Sequence, residues 1–169
     1  MRAMTETNLN DAFAGESQAH MKYLAFADKA EKDGFPKVAL MFRAISYAEQ
    51  VHAHNHLKVL AGVGDTAANI QAAMDGETFE VDEMYPAYDA VAQLQEEKGA
   101  LRSIHFALEA EKGHVDLYAA ALEAVKGGSD IEATSVYVCP TCGHTHVGKP
   151  EERCPVCNVP AEKYVAFNG

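Results

Sequence analysis

The sequence predicts an all-α four-helix bundle followed by a small β-rich domain built around a metal. Three observations carry that reading. Stretches rich in Ala, Leu, Glu and Lys keep helical apolar periodicity to about residue 126, GGSDIEATS interrupts them, and all four cysteines fall between 139 and 157. A chain of 169 residues that is 48% apolar can bury one substantial core and a small satellite, which argues against disorder. The boundaries read as a helical domain at 1–128, a linker at 129–136 and a cysteine domain at 137–169.

Each helix follows from its apolar stripe and its stop signal. The first, about 5–32, carries Leu9, Phe13, Glu16, His20, Tyr23 and Ala27 and is stopped by Asp33-Gly34-Phe35-Pro36. The second carries Val38, Phe42, Ile45, Glu49, His52, His56 and Val59 and ends at Ala61-Gly62-Val63-Gly64, after which Asp65 or Thr66 can cap the third. The third, about 66–97, carries Ile70, Ala73, Glu77, Glu80, Met84, Tyr88, Val91 and Leu94, with Gly76 and Pro86 as kink points. The fourth, about 99–126, carries Leu101, Ile104, Leu108, Glu111, Val115, Tyr118, Leu122 and Val125, and Gly127-Gly128 ends it.

Each stripe holds at least one glutamate where an apolar residue belongs, and these glutamates lie at similar distances from their helix starts. In a bundle they would meet at mid-height. Ionised carboxylates sharing a dry interior repel one another and lose hydration, so such a cluster persists only if protonated or bound to cations. Glu49 with His52, and Glu111 with His114, form two Glu-x-x-His pairs, each on one helical face. A lone pair of this kind usually means two solvated side chains. Two copies, accompanied by Glu16 on the first helix and Glu77 or Glu80 on the third, match the di-iron or di-manganese pattern of ferritin-like bundles. The halves also repeat, since Glu16 precedes Glu49 by 33 residues and Glu77 precedes Glu111 by 34. His20, His54, His56, His105, His144 and His146 read as structural or surface histidines. Tyr23 and Tyr85 lie about two turns from a candidate ligand glutamate, where a phenol can donate to a carboxylate and pass protons.

The tail holds two Cys-x-x-Cys knuckles, Cys139 with Cys142 and Cys154 with Cys157, separated by eleven residues. Gly143 and Asn158 follow the second cysteine of each, the residue types that tolerate the positive φ of a tight knuckle. Four thiolates in a tetrahedron suit zinc or a single iron. Tyr137, Tyr164 and Phe167 are expected to cover the cage, because so short a domain needs apolar packing as well as metal.

With 14 Lys and Arg against 25 Asp and Glu, a net charge of −11 opposes nucleic-acid binding and polybasic membrane contact. The start MRAMTETNLND has no apolar core of a signal peptide, and paired cysteines at this spacing suit a reducing compartment, so the expected location is the cytoplasm.

Over nearly its whole length the sequence resembles the rubrerythrins. The segments that carry the likeness are AGESQAHMKY with Glu16, AEQVHAHNHL with Glu49 and His52, GETFEVDEMYPAY with Glu77 and Glu80, ALEAEKGHVDLY with Glu111 and His114, and the rubredoxin-like cysteine tail. The resemblance implies a non-haem di-iron peroxidase that reduces hydrogen peroxide to water and protects against oxidative stress. Electrons would pass from a mononuclear iron at Cys139, Cys142, Cys154 and Cys157 to the di-iron site, fed by a reductase or rubredoxin. It makes Glu16, Glu49, Glu77, Glu111, His52 and His114 the common ligands. Glu80 becomes an extra carboxylate whose iron moves between it and His52 on redox change, and Tyr23 and Tyr85 become tyrosines close to the ligands. Glu83 competes with Glu80 on periodicity and is ranked lower by the resemblance alone. Two other readings use the same residues: a ferroxidase or iron-handling protein, and a metal-binding bundle carrying a structural zinc ribbon.

The connection between the second and third helices departs from the pattern. A ferritin-like bundle needs a crossover running its full length, about 40 Å at 1.5 Å per helical residue, while extended chain reaches about 3.3–3.6 Å per residue. Gly62 to Asp65 are too few. Either residues 61–76 unravel into a connector, or the first two helices of one chain pair with the last two of another in a domain-swapped homodimer. A simple up-down-up-down monomer is the remaining alternative.

Overall fold

Helix α1 (Ala3–Lys32) stops where Gly34 takes φ 83° and the Phe35 N–H reaches back to Ala30 O, 2.9 Å, closing its last turn. Pro36 then opens α2 (Pro36–Val59), its missing N–H lost where no helical partner exists. In the computed structural model, which describes residues 1–169, these helices form one unit, Met1–Gly64, and Asp65–Gly169 forms a second. Within the first unit Ala27 and Ala39 are fully buried and Ala30 nearly so, with Phe42 packed against them. Alanines at the seam let the two helices approach closely. The fully buried Ser46 hydroxyl donates to His20 O, and the His20 ring bonds the Ser46 carbonyl, both at 2.9 Å. His20 is thus a structural histidine tying α1 to α2.

The second unit opens with α3 (Thr66–Phe79), capped by Asp65, whose carboxylate accepts from the Ala68 N–H at 2.8 Å. Because Thr66 onward is helical, no connector unravels from residues 66–76. A π-helical turn (Glu80–Met84) leads directly into α4 (Tyr85–Leu94), and α5 (Lys98–Lys126) follows. At Gly76, one of the two expected kink points, α3 runs on without a break. The irregularity sits one turn before Pro86, whose ring cannot donate and crowds the carbonyl a turn back, so the ladder widens there. Strands β1 (Ser135–Val138), β2 (Thr145–Val147) and β3 (Val165–Asn168) form an antiparallel sheet in the order β2-β1-β3, with a 3₁₀ turn at Ala161–Lys163. Register pairs Tyr137 with His146 on one side and Ala166 on the other.

The fold class read from the sequence holds: ferritin-like helices and a small antiparallel domain bearing the cysteines. The core differs from expectation. Apart from three cysteines, the buried apolar residues are six alanines and Leu122. Several inner-stripe residues stand exposed, among them Ile45 at 40%, Val59 at 60%, Tyr88 at 53%, Val91 at 52% and Leu94 at 84%. A two-helix layer covers one side of each helix only, so the rest of a bundle-type stripe faces outward.

Candidate metal centres

Three clusters of ligand-bearing side chains form, one in the first unit and two in the second. In the first unit α1 supplies Glu16 and α2 supplies Glu49 and His52. The His52 Nδ1 lies 3.0 Å from Glu49 Oε2 and 4.0 Å from Glu16 Oε1. The three-residue spacing sets the first contact, and the α1–α2 packing brings Glu16 across to it.

The second unit repeats the arrangement. Glu77 comes from α3, Glu111 and His114 from α5, and His114 Nδ1 lies 2.5 Å from Glu111 Oε2 and 3.7 Å from Glu77 Oε1. Burial, and then the neighbouring Glu111, push the Glu77 carboxyl above its usual range. Glu80, at the start of the π turn, is raised by burial and by Glu77. Burial also raises the Tyr85 phenol, helped by Glu80, Glu111 and Glu77. A cavity of about 390 Å³ opens among Gly76, Glu77, Glu80, Glu111 and His114. This is a cluster of negative charge with one imidazole, the donor set of hard and borderline divalent ions, and a cation would relieve its strain.

Tyr85 therefore lies among the carboxylates, its ring edge-on to Tyr88 at 6.3 Å. Tyr23 sits in an aromatic cluster, 6.1 Å from both Phe26 and Phe42. Glu83 is exposed.

In the cage, Cys139 Sγ lies 3.5 Å from Cys157 Sγ, and Cys142 Sγ 3.5 Å from Cys154 Sγ. These are free thiols, not disulfides. A tetrahedral ion with bonds of about 2.3 Å sets sulfurs about 3.8 Å apart, so the pocket fits one. Gly143 and Asn158 take φ 83° and 63°, as the knuckle argument requires. Their N–H groups donate to Cys139 O and Cys154 O. Burial raises the Cys142 thiol. Burial also acts to raise Cys154, but hydrogen bonds from Tyr164 and from the Cys157 and Val156 N–H groups outweigh it and bring Cys154 down to about 6. Of the three expected aromatics, Tyr164 packs on the cage, joined by Val156, Val159 and Phe106 of α5. Phe167 does not; β3 turns it to solvent at 59% exposure. Tyr137 is not among the side chains packed on the cage.

One residue at this site was not legible in the sequence. Thr145 of β2 holds the His114 Nε2 at 2.9 Å and donates its hydroxyl to Gly143 O at 3.0 Å. Its position beside the first knuckle was the available signal, but no spacing rule links 145 to 114.

Paired carboxylate–histidine clusters on ferritin-like hairpins, together with a four-thiolate cage, define a non-haem iron redox protein. The rubrerythrin family model matches residues 7–122, and that for the rubrerythrin rubredoxin-like domain matches residues 137–165. The chain belongs to the rubrerythrin family. It is 41% identical to Rubrerythrin-2 of Clostridium acetobutylicum, over 98% of this chain and 97% of that one. It is 32% identical to Nigerythrin of Nitratidesulfovibrio vulgaris, over 96% and 86%. A solved structure of fully reduced, all-ferrous nigerythrin matches with a TM-score of 0.59 at 30% identity, covering 96% of this chain and 86% of that chain. The metals are iron, as a di-iron centre and in the rubredoxin-type cage, where zinc is the substitute that thiolate chemistry admits. The role is an iron-dependent redox one in oxidative stress. No helix is long and apolar enough to cross a membrane.

Proposed function

We propose that this chain is a peroxidase that reduces hydrogen peroxide to water, with electrons relayed from the Cys₄ iron to the di-iron centre. The observation that carries the reading is the seating of the cage on α5, where one threonine hydroxyl separates its first knuckle from His114. A bound ferrous pair supplies two electrons at one place, matching cleavage of one O–O bond with two protons taken up and two waters released. Glu16, Glu49, His52, Glu77, Glu111 and His114 would hold the pair, with Glu80 as the extra carboxylate. In the metal-free chain burial and then Glu77 raise the Glu80 carboxyl, and with iron bound Glu80 would be the carboxylate placed to pass a proton to a departing oxygen when the metal does not hold it. Tyr85, held protonated beside the same carboxylates, backs it up. Tyr23 takes the corresponding role in the first unit by resemblance.

The six common ligands divide three and three between the units. A connection of few residues follows α2, α3 begins at Thr66, and both units expose apolar stripe residues. These observations support a domain-swapped homodimer, in which the hairpin of one chain completes its site with the complementary hairpin of a second copy. A soluble reductase or rubredoxin in the cytoplasm would feed the cage.

Anaerobic rapid mixing of the reduced, iron-loaded protein with peroxide tests the activity. The visible thiolate-to-iron band should return rapidly. A band that stays bleached removes the peroxidase reading. Sedimentation tests the assembly, and a dilute monomer holding about three irons per chain would overturn the swap.

A further inference from the structure

The Thr145 hydroxyl has one proton, and it is donated to the Gly143 carbonyl, which can only accept. Toward His114 the same oxygen can therefore only accept. The 2.9 Å contact thus requires a proton on His114 Nε2, and it leaves Nδ1, which in the metal-free chain donates to Glu111 at 2.5 Å and also faces Glu77, as the nitrogen whose proton a metal would replace. We infer that Thr145 is a positioning residue of the di-iron centre: docking of the rubredoxin-like domain on α5 selects the His114 tautomer and ring orientation that the metal needs.

A metal-bound imidazole ordinarily gives its second N–H to a carboxylate, carbonyl or water nearby. Here the acceptor comes from the other metal domain. Thr145 is one turn of chain from the Cys142 knuckle, Gly143 approaches Ala110 of α5 to within van der Waals contact of an added Cβ at 3.8 Å, and Phe106 packs on the cysteines. The readiness of one centre is thereby tied to the seating of the other. His52 has no such arrangement; its ring is half exposed, and its hydrogen bonding runs through Nδ1 to Glu49. One histidine of the pair is held through both ring nitrogens, and the other through Nδ1 alone. The inference concerns the same site as the peroxidase reading and rests on it.

The test compares wild type, Thr145→Val and Thr145→Ser in the full chain. Proton–nitrogen NMR of the zinc-loaded protein should show a slowly exchanging His114 Nε2–H in wild type and Thr145→Ser, lost to solvent exchange in Thr145→Val. Ferrous affinity at the carboxylate site should fall roughly 10- to 100-fold in Thr145→Val and recover in Thr145→Ser. A Phe106-to-knuckle nuclear Overhauser contact, kept in all three, shows that the domain is still docked. An Nε2–H signal and iron affinity unchanged by Thr145→Val would overturn the inference, as would loss in Thr145→Ser equal to that in Thr145→Val. If wild-type protein fails to turn over peroxide, the activity reading falls, while the NMR and affinity arms still decide the role of Thr145.

Discussion

The backbone N–H of Tyr85 donates to the carbonyl of Glu80, five residues earlier rather than four. That widened turn rotates Tyr85 back onto the face that carries Glu80 and, one α turn before it, Glu77. In an unbroken α-helix the eight residues from Glu77 to Tyr85 would overshoot two turns; the wide turn absorbs the excess. Such turns recur at functional sites for this reason. Tyr85→Phe keeps the ring against Tyr88 but removes the phenol. Peroxide turnover should fall roughly 10²-fold with iron content unchanged, checked by steady-state assay and metal analysis. Full turnover would show that the hydroxyl takes no part.

The Glu77 carboxyl lies above its ordinary 4.5 through burial and then through Glu111. The folded state therefore holds this proton more tightly than the unfolded chain. Its contribution to stability is present at low pH and is lost as pH rises from about 4.5 through the folded value. Metal-free protein should consequently melt higher near pH 5 than a Glu77→Gln trend alone would give, with the advantage gone at pH 8, both roughly set. Loaded protein should show the reverse, because the cation competes with the proton for the same oxygens. Matching slopes for wild type and Glu77→Gln would refute the argument.

Cys139→Ser removes a buried ligand from the cage. The visible thiolate-to-iron band should disappear and turnover with an upstream reductase should stop, while a single oxidation of the ferrous di-iron centre by peroxide survives. Stopped-flow spectra separate the two steps.

Ile45 lies one turn before Glu49 and is 40% exposed, within the stripe that a second copy would cover. Ile45→Asp should leave the α1–α2 hairpin intact, since that seam is built from Ala27, Ala30 and Ala39. It should convert a dimer to monomers and reduce iron from about three per chain to about one, held in the cage. Sedimentation with metal analysis reads both. A dimer with full iron would argue against this interface.

Glu96 ends α4 in the left-handed region at φ 56°, its own N–H on Gln93 O and that of Glu97 on Ala92 O. A side chain there costs about 1 kcal/mol relative to glycine. Glu96→Gly should raise stability by a few tenths to about 1 kcal/mol after the extra freedom of the unfolded chain is counted. Thermal melts of the loaded protein measure it.

Much of this molecule is local and therefore readable along the chain. Helix stops at Gly34 and Gly128, the cap at Asp65, the positive φ of Gly143 and Asn158, and both Glu-x-x-His pairs depend on neighbours within a few residues. Periodicity and residue chemistry determined them. The π turn was harder to see, because Pro86 announces a fault in the ladder without saying how many residues before it the fault will open. What only the tertiary structure decided is contact between distant segments: Glu16 reaching His52, the inner stripes left exposed on each hairpin, Phe167 facing outward while Tyr164 covers the cysteines, and Thr145 meeting His114 across 31 positions. A hydrogen bond of 2.9 Å needs two atoms brought together by packing, and packing energy depends on whole surfaces that no short window of sequence contains.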